Sequence, residues 1–300
     1  YMGMAGSCEA EIAEPGARAL PAKDLFERLR AMPEGPVQIV TGDNVQTIVK
    51  AVGQARRYTM HGLSGNDFPK LPAATPDADV LDMPAELLAL LMARTHFSIS
   101  TDETRAYVNS LLLEWHGDRV RAVSTDGHRL TMMSAERGTT GPNVTALVSL
   151  RAIGELRRFV EGAKNMIEIR REGPNAFFTV AGMTFSAKLV DSQFPPWEQV
   201  VPRGLAAAAR VNRILFADAV KAVQLAAADR TGGVKLTLAT DVLRVTAESP
   251  ESGNGSDEVP AVYDGPERKI GVNSKYILDV LTSLDCDEVD IDLLCGVWKV

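Results

Sequence analysis

Asp126, Gly127, His128 and Arg129 place a carboxylate, an imidazole and a guanidinium within four consecutive residues, with Ser124 and Ser134 near in sequence. Aspartate, histidine and serine are the parts of a hydrolytic triad, in which the imidazole takes the serine proton and the carboxylate holds the imidazole. The spacing argues otherwise. Asp126 and His128 are separated by one glycine, which is turn geometry, and no Gly-x-Ser-x-Gly elbow occurs in the chain. A strand-ending turn with His128 bonded locally competes with a binding role for this segment. An α+β hydrolase using Asp126, His128 and Ser134 stands as the alternative reading.

A second acidic group, Asp285, Asp287, Glu288, Asp290 and Asp292, has the oxygen ligands a hard divalent cation takes. Alternation with Val289, Ile291 and Leu293 instead sets Glu288, Asp290 and Asp292 on the solvent face of a strand. The run Ser249 to Asp257 is rich in glycine and serine, but it lacks the lysine of a phosphate-binding loop and precedes no helix, so it reads as a mobile surface loop. Cys8, Cys286 and Cys295 are odd in number and form no Cys-x-x-Cys, which disfavours a disulfide framework and a zinc site. No metal or cofactor is called for.

The elements that carry these residues repeat. PAKDLFERLRAMPEGPVQIV from Pro21, SLRAIGELRRFVEGAKNMIEIR from Ser149 and NSKYILDVLTSLDCDEVDIDL from Asn273 align at Phe26/Ile153/Leu278, Leu29/Leu156/Leu281 and Met32/Phe159/Leu284. Apolar residues at this spacing line one helix face, and each helix gives way through a turn to an alternating strand. A second pair, MPAELLALLMARTHFSIS from Met83 and VNRILFADAVKAVQLAAA from Val211, predicts helices followed by paired strands at 107–115 with 119–125, and at 234–239 with 243–247. The echo of Asp67-Phe68-Pro69 in Gln193-Phe194-Pro195 closes two units with proline-rich chain, placing boundaries near 73–82 and 203–210. The middle unit is the longest, so the repeat arithmetic sets both ends of the chain inside a unit.

The chain has 300 residues, 45% hydrophobic and 24% charged, which fits several globular cores. It contains no unbroken apolar run of membrane-spanning length and no secretory leader pattern, and it reads as cytosolic. With 32 basic against 39 acidic residues its net charge is −7, which excludes a protein coated in nucleic-acid-binding charge but not a local basic stripe.

Three tandem repeats, together with Arg105-Ala106-Tyr107-Val108-Asn109, Ser124 to Leu130, Ser186 to Pro202 and Ile270 to Leu281, resemble the bacterial DNA polymerase III β subunits, the β sliding clamps, over nearly the whole chain. The resemblance implies an α+β DNA-clamp fold in three domains, 1–78, 79–205 and 206–300, each with two helices packed on antiparallel sheets. The first would be incomplete at its N-terminus and the third at its C-terminus, weakening ring closure. It implies a non-catalytic head-to-tail homodimer that encircles double-stranded DNA, with helices lining the hole, and tethers the replicative polymerase for processive synthesis. The five helical segments carry a net +4 and the rest of the chain −11, the distribution such a ring requires. Lys23, Arg28, Arg30, Arg151, Arg157, Arg158, Arg213, Lys221 and Lys275 are the candidate lining charges, with solvated helix faces as the plain alternative; Arg105 and Tyr107 join them on the loop where the family touches DNA.

The resemblance further implies an apolar cleft that takes linear peptides from polymerases, the clamp loader and repair proteins. Its walls would be Val108, Thr125, Gly127, His128, Arg129, Leu130, Pro195, Gln199 and Val200, with Asn273 and Tyr276 from the third domain and a C-terminal strand and tail to complete it. Gln199 stands where a basic residue is common in the family.

Overall fold

Five α-helices form among the described residues where apolar residues recur at helical spacing: α1 Ala22–Arg30, α2 Ala85–Thr95, α3 Leu150–Val160, α4 Arg213–Val223 and α5 Ser274–Ser283. Their starts are set locally. The Ser149 hydroxyl accepts from the Ala152 amide, Asn212 Oδ1 from the amides of Ile214 and Leu215, and Asn273 Oδ1 from that of Lys275, each capping orphan donors of the first turn. Prolines 21 and 84 precede α1 and α2, where no amide hydrogen is needed. The computed structural model describes residues 1–42, 46–76, 78–202, 208–228, 232–294 and 297–299.

The chain divides into two compact units. The larger comprises Tyr1–Ala5 and Ala74–Val300. Its first sheet runs in the order Met2–Ala5, Met183–Lys188, Asn175–Val180, Met166–Glu172, Asp79–Pro84. Met2–Ala5 thus pair with Ala187 to Thr184, joining the sheet of the expected second domain and not the 1–78 segment in which the sequence sets them. A four-stranded sheet runs Leu130–Glu136, Arg119–Thr125, Ser110–His116, Val144–Ser149. Helices α2 and α3 fill one core with these two sheets, through Leu88, Leu91, Ile153, Leu156, Phe178 and Trp115. A seven-stranded sheet, Arg268–Asn273, Gly233–Ala239, Val242–Ser249, Gly253–Val262, Ala208–Asn212, Glu288–Leu294, Val297–Lys299, carries α4 and α5 on a second core. The expected boundary at 205/206 and Cys295 lie outside the described residues.

The smaller unit, Gly6–Ala73, holds α1 and the three-stranded sheet Val37–Thr41, Gln46–Ala51, Arg57–His61. Val49, Ala51 and Met60 are buried. Phe26, equivalent in the repeat to the buried Ile153, is 63% exposed, and every residue of Val37–Thr41 is exposed. The repeat therefore preserves the apolar pattern of α1 without its burial.

Three local expectations need correction. The expected loop 249–257 is mostly strand: Ser249 pairs with Gly253, and pairing runs back to Val242 with Pro260, leaving only residues 250–252 as the turn. Backbone ladders need no apolar side chain, which is why composition misled. Gly255 serves packing there, because a Cβ would sit 3.1 Å from the Ala226 methyl in the turn that follows α4. Tyr107 precedes the strand Ser110–His116 in a turn. Asp292, assigned to a solvent face, is buried in a strand flanked on both sides, by Ala208 and Lys299 in register.

Phe178 is wholly buried, 6.2 Å from Phe185 between ring centroids, and Phe185 in turn lies 5.9 Å from Phe159 of α3. Phe178→Ala removes the wholly buried end of this aromatic row and is expected to cost about 3–5 kcal/mol in urea unfolding, with the secondary structure retained.

Candidate functional site

The site is assembled around a turn. Thr125 Oγ1 accepts from the Gly127 amide at 3.1 Å and donates to the Arg129 carbonyl at 2.6 Å. Asp126 Oδ1 accepts from the amides of His128 and Arg129 at 2.9 and 3.0 Å. Side chains of this type that bond backbone groups two or three residues on hold tight turns. Gly127 sits at φ +93°, and a Cβ there would lie 3.3 Å from Arg105 Nη2, so glycine is needed both for the turn and for the approach of the arginine.

The turn aims Arg129. Its Nε donates to Asp126 Oδ2 at 3.1 Å, its Nη1 to Asp279 Oδ2 of α5 at 2.7 Å and its Nη2 to the Phe97 carbonyl, beyond the end of α2, at 2.6 Å. The guanidinium lies 4.4 Å from the Tyr276 ring centroid and 5.6 Å from that of Phe97. Asp279 also accepts from Lys275 Nζ at 2.7 Å. Burial opposes ionisation of Asp279, but the hydrogen bonds from Lys275 and Arg129 outweigh it and hold the carboxyl below its usual range.

Around this latch the other expected cleft residues take distinct places. Leu130 is half-buried and packs on a small apolar cluster of Leu112, Val123, Leu147, Phe194 and Trp197. Pro195 is half-buried in the segment over that cluster, while Gln199 and Val200 are exposed beyond it, Val200 at 64%. Gly127 and His128 are exposed at the turn. Val108 is 1% exposed, so it supports the surface from beneath and does not line it. Asn273 caps α5, three residues ahead of Tyr276. The sequence missed Asp279 and Phe97; the one local signal was the i, i+4 pairing of Lys275 with Asp279 on the helix that carries Tyr276.

The hydrolytic alternative finds no such assembly. Both Asp126 oxygens serve the turn and Arg129, and Ser124 is buried with its hydroxyl donated to the Thr95 carbonyl. Ser134 stands four residues along the strand from Leu130, about 13 Å from the turn. Two members of the acidic group are held by arginines: Asp285 takes Arg94 at 2.7 Å and Asp290 takes Arg210 at 2.8 and 3.2 Å. No group of three or more candidate metal-ligating side chains gathers among the described residues.

The candidate DNA-facing charges differ in what they already hold. Arg151, Arg158 and Lys221 are exposed, and Arg157 is half-buried. Arg158 pairs with Glu155 at 2.9 Å, Lys275 with Asp279, and on α1 Lys23 pairs with Glu27 and Arg28 with Asp24, while Arg30 is exposed. Arg105 Nε donates to the Tyr107 hydroxyl at 3.3 Å beside Gly127, at the rim of the turn. Arg213 is a structural tie, donating to the carbonyls of Leu281 and Cys286.

Arg129→Met keeps apolar length over Tyr276 and removes every charged bond, leaving Asp279 short of a donor; it should cost about 1.5–3 kcal/mol in denaturant unfolding. Arg244→Met, which breaks an exposed pair with Glu258, should change stability by no more than about 0.5 kcal/mol. Because the folded Asp279 pKa is depressed, the latch is at full strength at neutral pH and is lost as pH falls below about 4, which a pH series comparing wild type with Arg129→Met reads directly.

Comparison with known proteins places this geometry. Residues 82–196 match the family described as DNA polymerase III beta subunit, central domain, and residues 198–298 match its C-terminal domain. The beta sliding clamp of Escherichia coli K12 is 30% identical over 287 residues, covering 96% of this chain and 78% of that protein. The DNA polymerase sliding clamp from Pseudomonas aeruginosa superimposes with a TM-score of 0.90 at 29% identity, covering 98% of this chain and 80% of that one. The sliding clamp of Bartonella birtlesii, solved bound to griselimycin, gives 0.87 at 30% identity, covering 99% and 80%. With two family domains spanning most of its length and a 30% identical relative aligned over 96% of it, the chain belongs to the bacterial DNA polymerase III β subunits, the β sliding clamps.

Proposed function

We propose that this protein is a DNA sliding clamp: a non-catalytic cytoplasmic subunit that pairs head to tail with a second copy, encircles duplex DNA without sequence preference, and tethers the replicative polymerase. It is built of three clamp domains, at 1–78, 79–205 and 206–300, with the strand Met2–Ala5 pairing into the sheet of the second, and offers one peptide cleft to polymerases, the clamp loader and repair proteins. The tether acts through effective concentration, since a polymerase that lets go of the primer rebinds before it diffuses away.

The observation that carries the cleft is the Arg129 latch. It sets the turn, with Thr125, Gly127, His128 and Leu130, against Tyr276 of α5 at 4.4 Å, so that residues of two family domains border one surface. Leu130, Pro195 and Val200 offer apolar contact to a peptide's leucine and phenylalanine, while exposed polar groups of the turn meet its backbone. The arginines of α3 supply positive charge of the kind that meets phosphates without reading bases. Self-association has apolar surface to cover at Phe26, Ile39 and Leu225, exposed at 63%, 55% and 81%.

The test is fluorescence anisotropy of a labelled Gln-Leu-x-Leu-Phe peptide against a scrambled control. Selective binding that is lost in Leu130→Asp and in the exposed variant Val200→Asp is expected. Equal binding of both peptides, or binding indifferent to both substitutions, overturns the cleft. For DNA, replacing Arg151, Arg157 and Arg158 together by glutamine should flatten the dependence of duplex binding on salt; an unchanged slope removes α3 from the DNA face.

A further inference from the structure

The outer face of the four-stranded sheet holds chemistry that the latch does not use. A cavity of about 520 Å³ lies there, floored by Leu112, Glu114 and Leu147 and walled by the segment from Ser192 to Gln199 with its Phe194 and Trp197. Strand alternation puts Leu111, Leu113 and Trp115 into the main core and turns Leu112 and Glu114 outward into this cavity.

Glu114 lacks the partner its register offers. Its directly opposite residue is Arg121, and a Glu–Arg pair across two strands ordinarily closes into an ion pair. Arg121 instead donates to Glu198 Oε1 at 3.3 Å and lies 5.9 Å from the Trp197 ring centroid. Glu114 Oε2 is left enclosed without a hydrogen bond. Burial pushes the Glu114 carboxyl above its usual range, His116 and Arg121 work against that rise, and Glu198 adds to it. A half-buried carboxyl short of a donor, set among apolar walls with a second carboxylate nearby, is complementary to an ammonium or guanidinium on an aliphatic stem. His116 also lines the cavity, while Gln199 adds no positive charge that would repel such a group.

Resting on the cleft reading above, we propose that this cavity is a specificity subsite for a lysine or arginine side chain flanking the apolar motif of a docked peptide. It is continuous with the proposed cleft through Pro195 and Gln199, which belong to both. The aliphatic stem lies along Phe194, Pro196 and Trp197, and the charged end meets Glu114. Partners with a basic flank are thereby selected over partners sharing only the apolar core of the motif.

The experiment compares three labelled peptides with one apolar motif: neutral flanks, a lysine on the N-terminal side, and a lysine on the C-terminal side. One basic flank should tighten binding roughly tenfold, as expected of a charge-assisted hydrogen bond. Glu114→Gln should abolish that gain and leave the neutral peptide unchanged, while Glu136→Gln, which alters net charge equally at an exposed position, should preserve it. No gain from either flank, or equal loss in both variants, overturns the subsite while the cleft stands. If the neutral peptide itself fails to bind, the cleft reading falls and the cavity is tested alone, by titrating N-acetyl-lysine methylamide and following the Trp197 indole resonance. A shift present in wild type and absent in Glu114→Gln then supports the cavity as a cation site; no Glu114-dependent shift overturns it.

Discussion

One guanidinium organises the candidate site. Arg129 spends its donors on a carboxylate of its own turn, a carboxylate of α5 and a carbonyl beyond α2, and lays its faces near Tyr276 and Phe97. Only a planar, permanently charged group with donors fixed in a fork can meet all of these at once; a lysine would supply one charged point and no face to stack. The elements it ties are distant in sequence, with Arg129 and Asp279 separated by 150 positions. The geometry of the surface is therefore set by a long-range contact, and the turn at Thr125 to His128 is the device that presents the arginine in one orientation.

The dependence explains what a reader of the sequence can and cannot find. The five helices are legible because each carries an apolar stripe, and in α2 to α5 tertiary packing rewards the same periodicity that a local reading detects, whereas α1 keeps the stripe with Phe26 exposed. Paired strands at 119–125 and 234–239 are legible for the same reason. The segment 249–257 is not, because its strand character comes from backbone pairing to residues on the facing strand, which composition does not record. Within the site, the turn residues and Tyr276 are identifiable through their motif, but Asp279 and Phe97 are not, since what matters about them is which arginine reaches them. Val108 shows the converse: its position in a motif says nothing of its depth, and it lies below the surface.

Charge counting has the same limit. It identifies which residues are cationic but not which are already engaged. Arg213 gives its donors to the carbonyls of Leu281 and Cys286, and Arg94 gives its own to the Ser283 carbonyl and the Asp285 carboxylate. Two arginines thus converge on the C-terminal end of α5, where exposed carbonyls and the negative end of the helix dipole favour cations. They hold the helix that carries Tyr276 and Asp279, so part of the positive charge read as phosphate-seeking is instead structural support for the candidate site. On α3, Arg151 and Arg158 differ, standing exposed on a helix whose buried side is apolar, with Arg158 paired to Glu155 of its own helix.

On the proposed reading these two kinds of positive charge answer opposite physical demands. Contact with DNA that must slide calls for solvated side chains with many nearly equal arrangements, so that no register along the phosphates is preferred. Recognition of a short peptide calls for the reverse, a surface ordered in advance so that little conformational freedom is lost on binding. The protein meets both with the same residue type by varying what surrounds it. Arg151 and Arg158 are exposed, whereas the Arg129 side chain is 14% exposed and bound on every side. Burial and hydrogen bonding, more than residue identity, decide whether an arginine becomes a mobile contact or a fixed part of the frame.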